Sequence, residues 1–367
     1  MEFVPFAEKY AKEWDGFCIE NDLASLWHAT FFMKIVLNRR SYIRSENHSF
    51  FIKDSKEILA IVPLTVDRNT VESDSGTEMN YGGFNVPMPV VSKNLKAKGR
   101  DKVLKGIYKE IDSIAELNDV YRLNIMIPLE FDYRTSHNYN NILVEFGFHD
   151  YRQNTQILKL SVSEESIWCG LSNNHKRSIK KGQKYLNFRL FTGENISENI
   201  IELFKSFYFE AAGKITHPDT FFGVLYDIIK NNYGVLGQAL YRGKVVGYMF
   251  NVFFKDRAFY LLGANLRGFD VCPIAHLLHW ELIKYLKKIG ILSYELGLQQ
   301  FRSTIYEQPT KKELSISRFK KGFGGETMPV YIGEKFYSKD YFKKTWEKRI
   351  QGYLNDNNIL LKNKLNN

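Results

Sequence analysis

Residues 273–297, PIAHLLHWELIKYLKKIGILSYELG, are the most clearly patterned segment of the chain. Apolar side chains recur at helical spacing from residue 274 to residue 289, on a polar and charged background. Pro273 suits the start of a helix, where its missing N–H has no partner to lose, and Gly290 suits the end. Residues 291–297 then predict a strand. The segment therefore predicts a helix followed by a strand.

The same order occurs earlier in the chain. Residues 101–117, DKVLKGIYKEIDSIAEL, predict an amphipathic helix, and residues 119–128, DVYRLNIMIP, predict the strand after it. A hairpin is predicted ahead of each helix, at residues 49–67 and 234–255, because two apolar runs flank a short polar turn in each. The repetition predicts that one structural plan is used twice.

The second copy is the more completely patterned. Its other strands are expected at residues 156–162, 188–192, 258–264 and 330–336, and its other helices at residues 164–171, 173–184, 197–212, 219–231 and 314–321. We expect an α/β (α+β) protein with domains at residues 1–153 and 154–340, each a mixed, mostly antiparallel sheet flanked by helices. A C-terminal helix and a frayed tail are expected at residues 341–367.

Composition excludes several classes of protein. With 367 residues, 44% hydrophobic and 25% charged, the chain is expected to be globular and long enough for two domains. It has no apolar run near the roughly 20 residues that span a bilayer, and no secretion leader is recognisable at residues 1–17. Three distant cysteines, Cys18, Cys169 and Cys272, argue against a disulfide framework or a zinc site. We expect no metal cofactor.

The formal net charge of +10 favours an anionic partner such as a nucleotide, a phosphate, RNA or a membrane surface. Basic clusters lie at residues 39–40, 176–184 and 320–321. A solvated basic surface without a partner is the alternative interpretation.

Several short motifs occur in a fixed order along the chain. They are, in the first half, Trp27–His28, Phe31–Phe32, Pro63–Leu64 and Tyr81–Gly82–Gly83, and in the second half, Trp168 to Leu171, Arg177, IKKG at residues 179–182, YELG at residues 294–297 and FKKGFGGE at residues 319–326. With them the chain resembles the GCN5-related N-acetyltransferase (GNAT) fold and, more narrowly, the FemABX-like tandem proteins and their relatives in bacterial polysaccharide gene clusters. The resemblance spans roughly residues 14–332.

This resemblance implies two tandem GNAT-like domains with a cleft, the second catalytic and the first a scaffold that forms an acceptor wall. It implies an N-acyltransferase that moves an acyl or aminoacyl group onto an amine of a cell-envelope or surface-glycan precursor in the bacterial cytoplasm. The acceptor would be an anionic nucleotide- or lipid-linked sugar or peptide, with peripheral membrane contact possible. In FemABX proteins the donor is aminoacyl-tRNA.

An acetyl-CoA enzyme of this fold normally binds pyrophosphate with a glycine-rich loop ahead of a helix. Residues 265–273, NLRGFDVCP, stand at that position but contain one glycine and an acid, Asp270. The donor therefore stays open between aminoacyl-tRNA and acyl-CoA. An acetyl-CoA-dependent N-acetyltransferase of an amino sugar is the alternative function, and a non-catalytic RNA- or glycan-binding protein is a second one.

Lys320 and Glu295 are the first candidates for catalysis. The resemblance places Phe319 and Lys320 at the active cleft, where a fixed cation would stabilise the oxyanion of amide formation. Glu295, at the end of a predicted strand, would take the proton of the attacking amine. A solvated surface lysine and a carboxylate paired with Arg302 are the alternatives. His276 is a second candidate base, against a role in packing.

The remaining candidates would bind substrate. Residues 177, 180, 181 and 184 share one face of a predicted helix, so Arg177, Lys180 and Lys181 could bind phosphates, with a solvated helix as the alternative. His217 lies on a predicted loop. The other expected contacts are Phe319, Asn265 at the start of residues 265–273, and Tyr81 and Gly82, whose turn could bring backbone close to a ligand.

Overall fold

Two β-sheets organise the chain, which we describe from a computed structural model covering residues 1–55, 57–70, 77–129, 141–266, 268–269, 272–302 and 304–356. The strands are β1 (Glu2–Pro5), β2 (Ile43–Asn47), β3 (Phe50–Asp54), β4 (Glu57–Val62), β5 (Thr65–Asn69), β6 (Thr77–Met79), β7 (Val86–Pro87), β8 (Val90–Val91), β9 (Val120–Met126), β10 (His149–Lys159), β11 (Leu186–Phe191), β12 (Gly234–Tyr241), β13 (Lys244–Phe254), β14 (Arg257–Asn265), β15 (Ser293–Gln299) and β16 (Glu326–Phe336).

The helices match most of the predicted ones in position. They are α1 (Ala11–Glu20), α2 (Thr30–Asn38), α3 (Ala97–Leu117), α4 (Glu164–Gly170), α5 (Asn173–Tyr185), α6 (Glu198–Ala212), α7 (Asp219–Lys230), α8 (Ile274–Lys288), α9 (Lys311–Lys321) and α10 (Lys339–Asp356). In the part of the chain that the structure describes, no helix is both long enough and apolar enough to cross a membrane.

The larger sheet has twelve strands and runs through both halves of the chain. Its order is β11-β12-β13-β14-β15-β10-β16-β9-β6-β5-β2, with β7 also paired to β9. Most neighbours are antiparallel, and the parallel pairs are β14 with β15 and β9 with β6 and β7. Strands β1, β3, β4 and β8 form the smaller sheet. The predicted α/β (α+β) class with mixed, mostly antiparallel sheets is confirmed.

Strand β16 joins the two halves through backbone hydrogen bonds. It pairs with β10 from His149↔Glu334 to Ile157↔Glu326, and on its other edge it pairs with β9 of the first half. The boundary expected between residues 153 and 154 falls inside β10, so the halves share a strand and no linker separates them.

Helices cover both faces of the second half's sheet. Neighbouring residues of β12 point to opposite faces, and Val235 packs in the cluster that contains Leu278 of α8, whereas Leu236 packs in the cluster that contains Phe222 of α7. Helix α5 lies against α8, and α7 also contacts α2 of the first half. Helix α7 is therefore part of the contact between the two halves.

The elements differ from the prediction where local pattern is weak. Strand β10 begins seven residues before the predicted residue 156, because its polar start, residues 149–155, is held by ladders to neighbouring strands rather than by apolar alternation. Hairpin β3–β4 lies in the smaller sheet, whereas β9 lies in the larger one, so the first copy is split between two sheets. The tail prediction for residues 357–367 falls outside the described residues.

The closing motif FKKGFGGE forms close backbone contacts. A Cβ on Gly325, which has φ +73°, would lie 2.1 Å from the carbonyl oxygen of Ile157 in β10. A Cβ on Gly322 would lie 2.1 Å from the ring of His175. The chain can therefore turn from α9 into β16 at this depth only with glycines.

Replacing Gly325 by alanine should lower the free energy of unfolding by about 3 kcal/mol, because the left-handed backbone and the backbone clash both add cost. Gly147→Ala is the matched control: Gly147 has φ +83° and nothing within 4 Å of its Cβ position, so a loss of about 1 kcal/mol is expected there. Urea unfolding of both variants makes the comparison. Equal losses would contradict the proposed clash.

Candidate active site

A cleft opens where β14 and β15 diverge. The two parallel strands pair only from Arg257↔Ser293 to Phe259↔Glu295. Beyond that point β15 keeps its pairing with β10, and a cavity of about 330 Å³ remains. Its walls include Trp27, Arg39 and Phe84 from the first half and Thr155, Phe259 and Glu295 from the second. The cleft therefore lies between the two halves.

Glu295 lies on the wall of this cleft, inside β15 (Ser293–Gln299) and not at the strand end that the sequence predicted. Its Oε1 accepts a hydrogen bond of 2.7 Å from Thr155 Oγ1 of β10. Its neighbours Tyr294 and Leu296 are fully buried on the other face of the sheet. The carboxylate is therefore oriented by a neighbouring strand.

Lys320 reaches the same wall from α9. Its Nζ donates a hydrogen bond of 3.2 Å to the carbonyl of Leu298 and lies 3.3 Å from the Cβ position of Gly297, and both of these residues line the cleft. Burial lowers the pKa of Lys320 to about 8, and the nearby carboxylate of Glu295 opposes this shift by raising the pKa. The structure thus brings Lys320 and Glu295 together.

His276 lies in an aromatic cluster outside the cleft lining. Its ring centroid is 4.6 Å from that of His175 and 4.9 Å from that of Phe319. Burial, together with His175, lowers the pKa of His276 to about 4, so its ring is neutral at pH 7. Phe319 is in the same cluster, beside Phe323. These contacts hold the end of α9, and with it Lys320, against α5 and α8.

The basic face of α5 is solvent-exposed and does not line the cleft. Arg177, Lys180 and Lys181 are all exposed, and Arg177 Nη2 donates to Asn174 Oδ1 at 2.5 Å. Asn265 is exposed at the end of β14. Arg267, Asp270 and Val271, on which the interpretation of the phosphate loop depended, lie outside the described residues.

A second basic surface, which the sequence did not indicate, lies beside α9. An open depression of about 720 Å³ is lined by Arg302, Lys311, Arg318 and Lys321, with no carboxylate among its described lining residues. Gln299 and Gln300 line it too, directly after the cleft residues Gly297 and Leu298. We call this surface the α9 depression.

His217, Tyr81 and Gly82 lie behind the cleft wall. The ring of His217 is buried, stacks on Phe221 at 4.3 Å and hydrogen-bonds through Nδ1 to the carbonyl of Arg39. Burial lowers the pKa of His217 to about 4. Tyr81 is fully buried, and the carbonyl of Gly82 accepts a 2.8 Å hydrogen bond from Arg39. His217 and Gly82 thus both contact Arg39, which the sequence showed only as part of a basic pair.

In the described residues, no group of three or more histidine, cysteine, aspartate or glutamate side chains is arranged to hold a metal ion. The chemistry that the cleft itself offers is a carboxylate for proton transfer beside a fixed cation. That pair suits amide formation at an amine.

The lowered pKa of Lys320 predicts a specific pH dependence of stability. Between pH 8 and the pKa of 10.5 in the unfolded chain, the unfolded state binds more protons, so the contribution of Lys320 to stability rises with pH. Urea unfolding of wild type and Lys320→Met at each pH measures this effect. The free energy of unfolding of wild type should rise relative to that of Lys320→Met as the pH increases across this range. Below about pH 7 the difference between the two proteins should not change with pH. Lys312→Met, an exposed lysine of the same helix, is the control; the same flat difference for both variants would contradict the burial of Lys320.

Comparison with known proteins finds a family match for the segment that contributes Phe259 and Glu295 to the cleft. The family model of the acetyltransferase (GNAT) domain matches residues 171–305. Among solved structures, FemX has a TM-score of 0.64 at 12% identity, over 94% of this chain and 99% of FemX. The C-terminal domain assigned to a lysylphosphatidylglycerol synthetase of Agrobacterium fabrum has a TM-score of 0.60 at 11% identity, over 92% and 95% of the two chains.

A tandem GNAT protein from the clavulanic acid biosynthesis pathway has a TM-score of 0.52 at 10% identity, over 92% of this chain and 98% of that chain. No curated protein sequence matches the chain. At these identities the likeness establishes the fold. Residues 171–305 thus match the GNAT domain, and the chain has a fold like those of FemX and the tandem GNAT protein, as the resemblance seen in the sequence predicted.

Proposed function

We propose that this protein is an N-acyltransferase that forms an amide in the cleft between its two halves. The observation that carries the proposal is the partly desolvated ammonium of Lys320 on the same wall as the Thr155-bound carboxylate of Glu295. The GNAT domain match over residues 171–305 supports acyl transfer as the reaction class.

Each group has one task in this reaction. The carboxylate of Glu295 takes a proton from the acceptor's ammonium, and the free amine attacks the acyl carbonyl of the donor. The resulting tetrahedral oxyanion is stabilised by Lys320, which is mostly protonated at pH 7 with its pKa of about 8. Collapse of this intermediate forms the amide and expels the donor's leaving group, which takes up a proton.

The acceptor is proposed to be an amine-bearing precursor of the bacterial cell envelope or of a surface glycan. Fold likeness to FemX and to a lysylphosphatidylglycerol synthetase domain supports an envelope substrate. We place the reaction in the bacterial cytoplasm, with an anionic nucleotide- or lipid-linked substrate and peripheral contact with the membrane where the substrate is lipid-linked.

Two donors fit different observations. Aminoacyl-tRNA fits the α9 depression, whose four cations lie next to the cleft and could bind a phosphodiester backbone. Acyl-CoA fits the GNAT family match. The donor is identified by thermal-shift titration with acetyl-CoA, a charged tRNA pool and UDP- and CMP-linked amino sugars, because a ligand of the native state raises the melting temperature. Mass spectrometry of the amide product then assigns the reaction.

Lys320→Met should lower kcat about 10²- to 10³-fold while the protein stays folded, because the oxyanion loses its fixed cation. The turnover of the donor–acceptor pair found by that screen gives the measurement. Lys312→Met, which removes an exposed lysine from the same helix, should leave turnover unchanged. Full activity of folded Lys320→Met would refute the central role of Lys320.

The site of the donor's phosphates can be located by paired substitutions. If aminoacyl-tRNA is the donor, Arg318→Gln with Lys321→Gln in the α9 depression should weaken its binding about tenfold and reduce the salt slope by about 2. Lys180→Gln with Lys181→Gln on α5 removes the same charge from the surface that the sequence favoured. Filter binding at several salt concentrations compares the pairs, and a larger effect on α5 would place the tRNA there instead.

A further inference from the structure

Arg39 is a cation on the first-half wall of the cleft that forms no direct ion pair with a described carboxylate, although Asp67 lies close enough to raise its pKa. Its Nη1 donates to the carbonyl of Gly82 at 2.8 Å, and its Cζ lies 3.7 Å from the centroid of the Phe84 ring. No carboxylate of the described residues lies within ion-pair distance of the guanidinium, and its other N–H groups donate to no described residue. Those nitrogens are not fully buried, and Arg39 is among the residues that line the cleft.

The surrounding structure holds this side chain in place. Gly82 has φ +58°, and a Cβ there would lie 2.5 Å from the carbonyl oxygen of Val36, so the turn after Tyr81 packs directly on the end of α2. His217 binds the backbone carbonyl of Arg39 from the opposite side. Burial, together with the neighbouring charge of Arg40, lowers the pKa of Arg39 to about 9, and Asp67 opposes this effect only in part.

A cation that is desolvated without a partner favours an anion brought by a ligand. The planar guanidinium fork matches a carboxylate through two parallel hydrogen bonds. The rings of Trp27, Phe84 and Phe259 pack edge to face at the same wall, with Trp27 5.3 Å from Phe84 and 5.0 Å from Phe259, so the guanidinium lies beside an apolar surface. A cavity of about 330 Å³ with one guanidinium on this wall suits one carboxylate on a small ligand better than a diphosphate.

We propose that Arg39 binds a carboxylate of the amine acceptor, so that the acceptor is an amino acid, a short peptide or an amino-acid-bearing precursor with a free carboxylate. This inference rests on the proposed function and names the substrate class of the same cleft. The carboxylate contacts Arg39 on the first-half wall, and the amine faces Glu295 on the second-half wall. Arg39 is thus the specificity-determining residue, and Glu295 and Lys320 carry the chemistry.

The test is a thermal-shift titration with L-alanyl-L-alanine, its C-terminal amide and O-phosphoethanolamine. The first two differ in the carboxylate, and the third replaces the carboxylate by a phosphate ester. Wild type should bind the dipeptide at least about tenfold more tightly than its amide. That preference should disappear in Arg39→Met, weaken in Arg39→Lys, which keeps the charge but loses the fork, and persist in Arg40→Met, which removes the neighbouring arginine.

Equal shifts with dipeptide and amide in wild type, including no shift with either, would overturn the inference, as would an undiminished preference in folded Arg39→Met or stronger binding of O-phosphoethanolamine. Lys320→Met separates the two proposals, because it should lose turnover while keeping the preference for the dipeptide. Loss of the preference in Arg39→Met together with full turnover of Lys320→Met would sink the proposed chemistry and leave the carboxylate site standing.

Discussion

The insertion of β16 between β10 and β9 is the constraint on which the rest of the structure depends. Its ladders make one sheet of two similar halves. Glu334 of β16 is fully buried and takes two hydrogen bonds, of 2.7 and 2.8 Å, from Arg349 of α10, and a third of 3.2 Å from Arg122 of β9. A buried carboxylate is tolerated only with such partners, so the network fixes strand, terminal helix and first half together.

The cleft follows from that constraint. Strands β14 and β15 separate after three paired positions, while β10 keeps β15 in the shared sheet, so the opening faces the first half. The histidines near α9 pack in the cluster that supports this geometry. His279 is fully buried, and burial lowers its pKa to about 3, while its Nδ1 hydrogen-bonds Tyr294. Neutral, packed rings hold α9 so that Lys320 meets the cleft at a defined place.

The two walls differ in what they offer a substrate. The second-half wall has a carboxylate and an ammonium, the groups that proton transfer and oxyanion stabilisation need. The first-half wall has aromatic rings and a guanidinium without an acid, groups suited to recognition. In the proposed reaction, one half of the chain supplies the chemistry and the other supplies the selectivity. The two halves that carry these walls are joined by one sheet, because β16 pairs with strands of both.

The sequence by itself determined the elements of the second half, the repeated plan, the fold class and the candidates Lys320 and Glu295, because periodicity, caps and a short motif are local properties. Only the tertiary structure decided which side chains share the cleft. Thr155 reaches Glu295 across 140 positions of sequence, and His217 reaches Arg39 across 178, so no local pattern contains either contact. In the sequence Arg39 is one of two adjacent arginines. Only the folded chain shows that it is partly buried, with its guanidinium between the Phe84 ring and the carbonyl of Gly82. The sequence also shows the charges of the basic face of α5, but only the folded chain shows that this face is exposed and lies outside the cleft. Charge can be counted from the sequence, whereas the loss of water around a charged group depends on the tertiary structure.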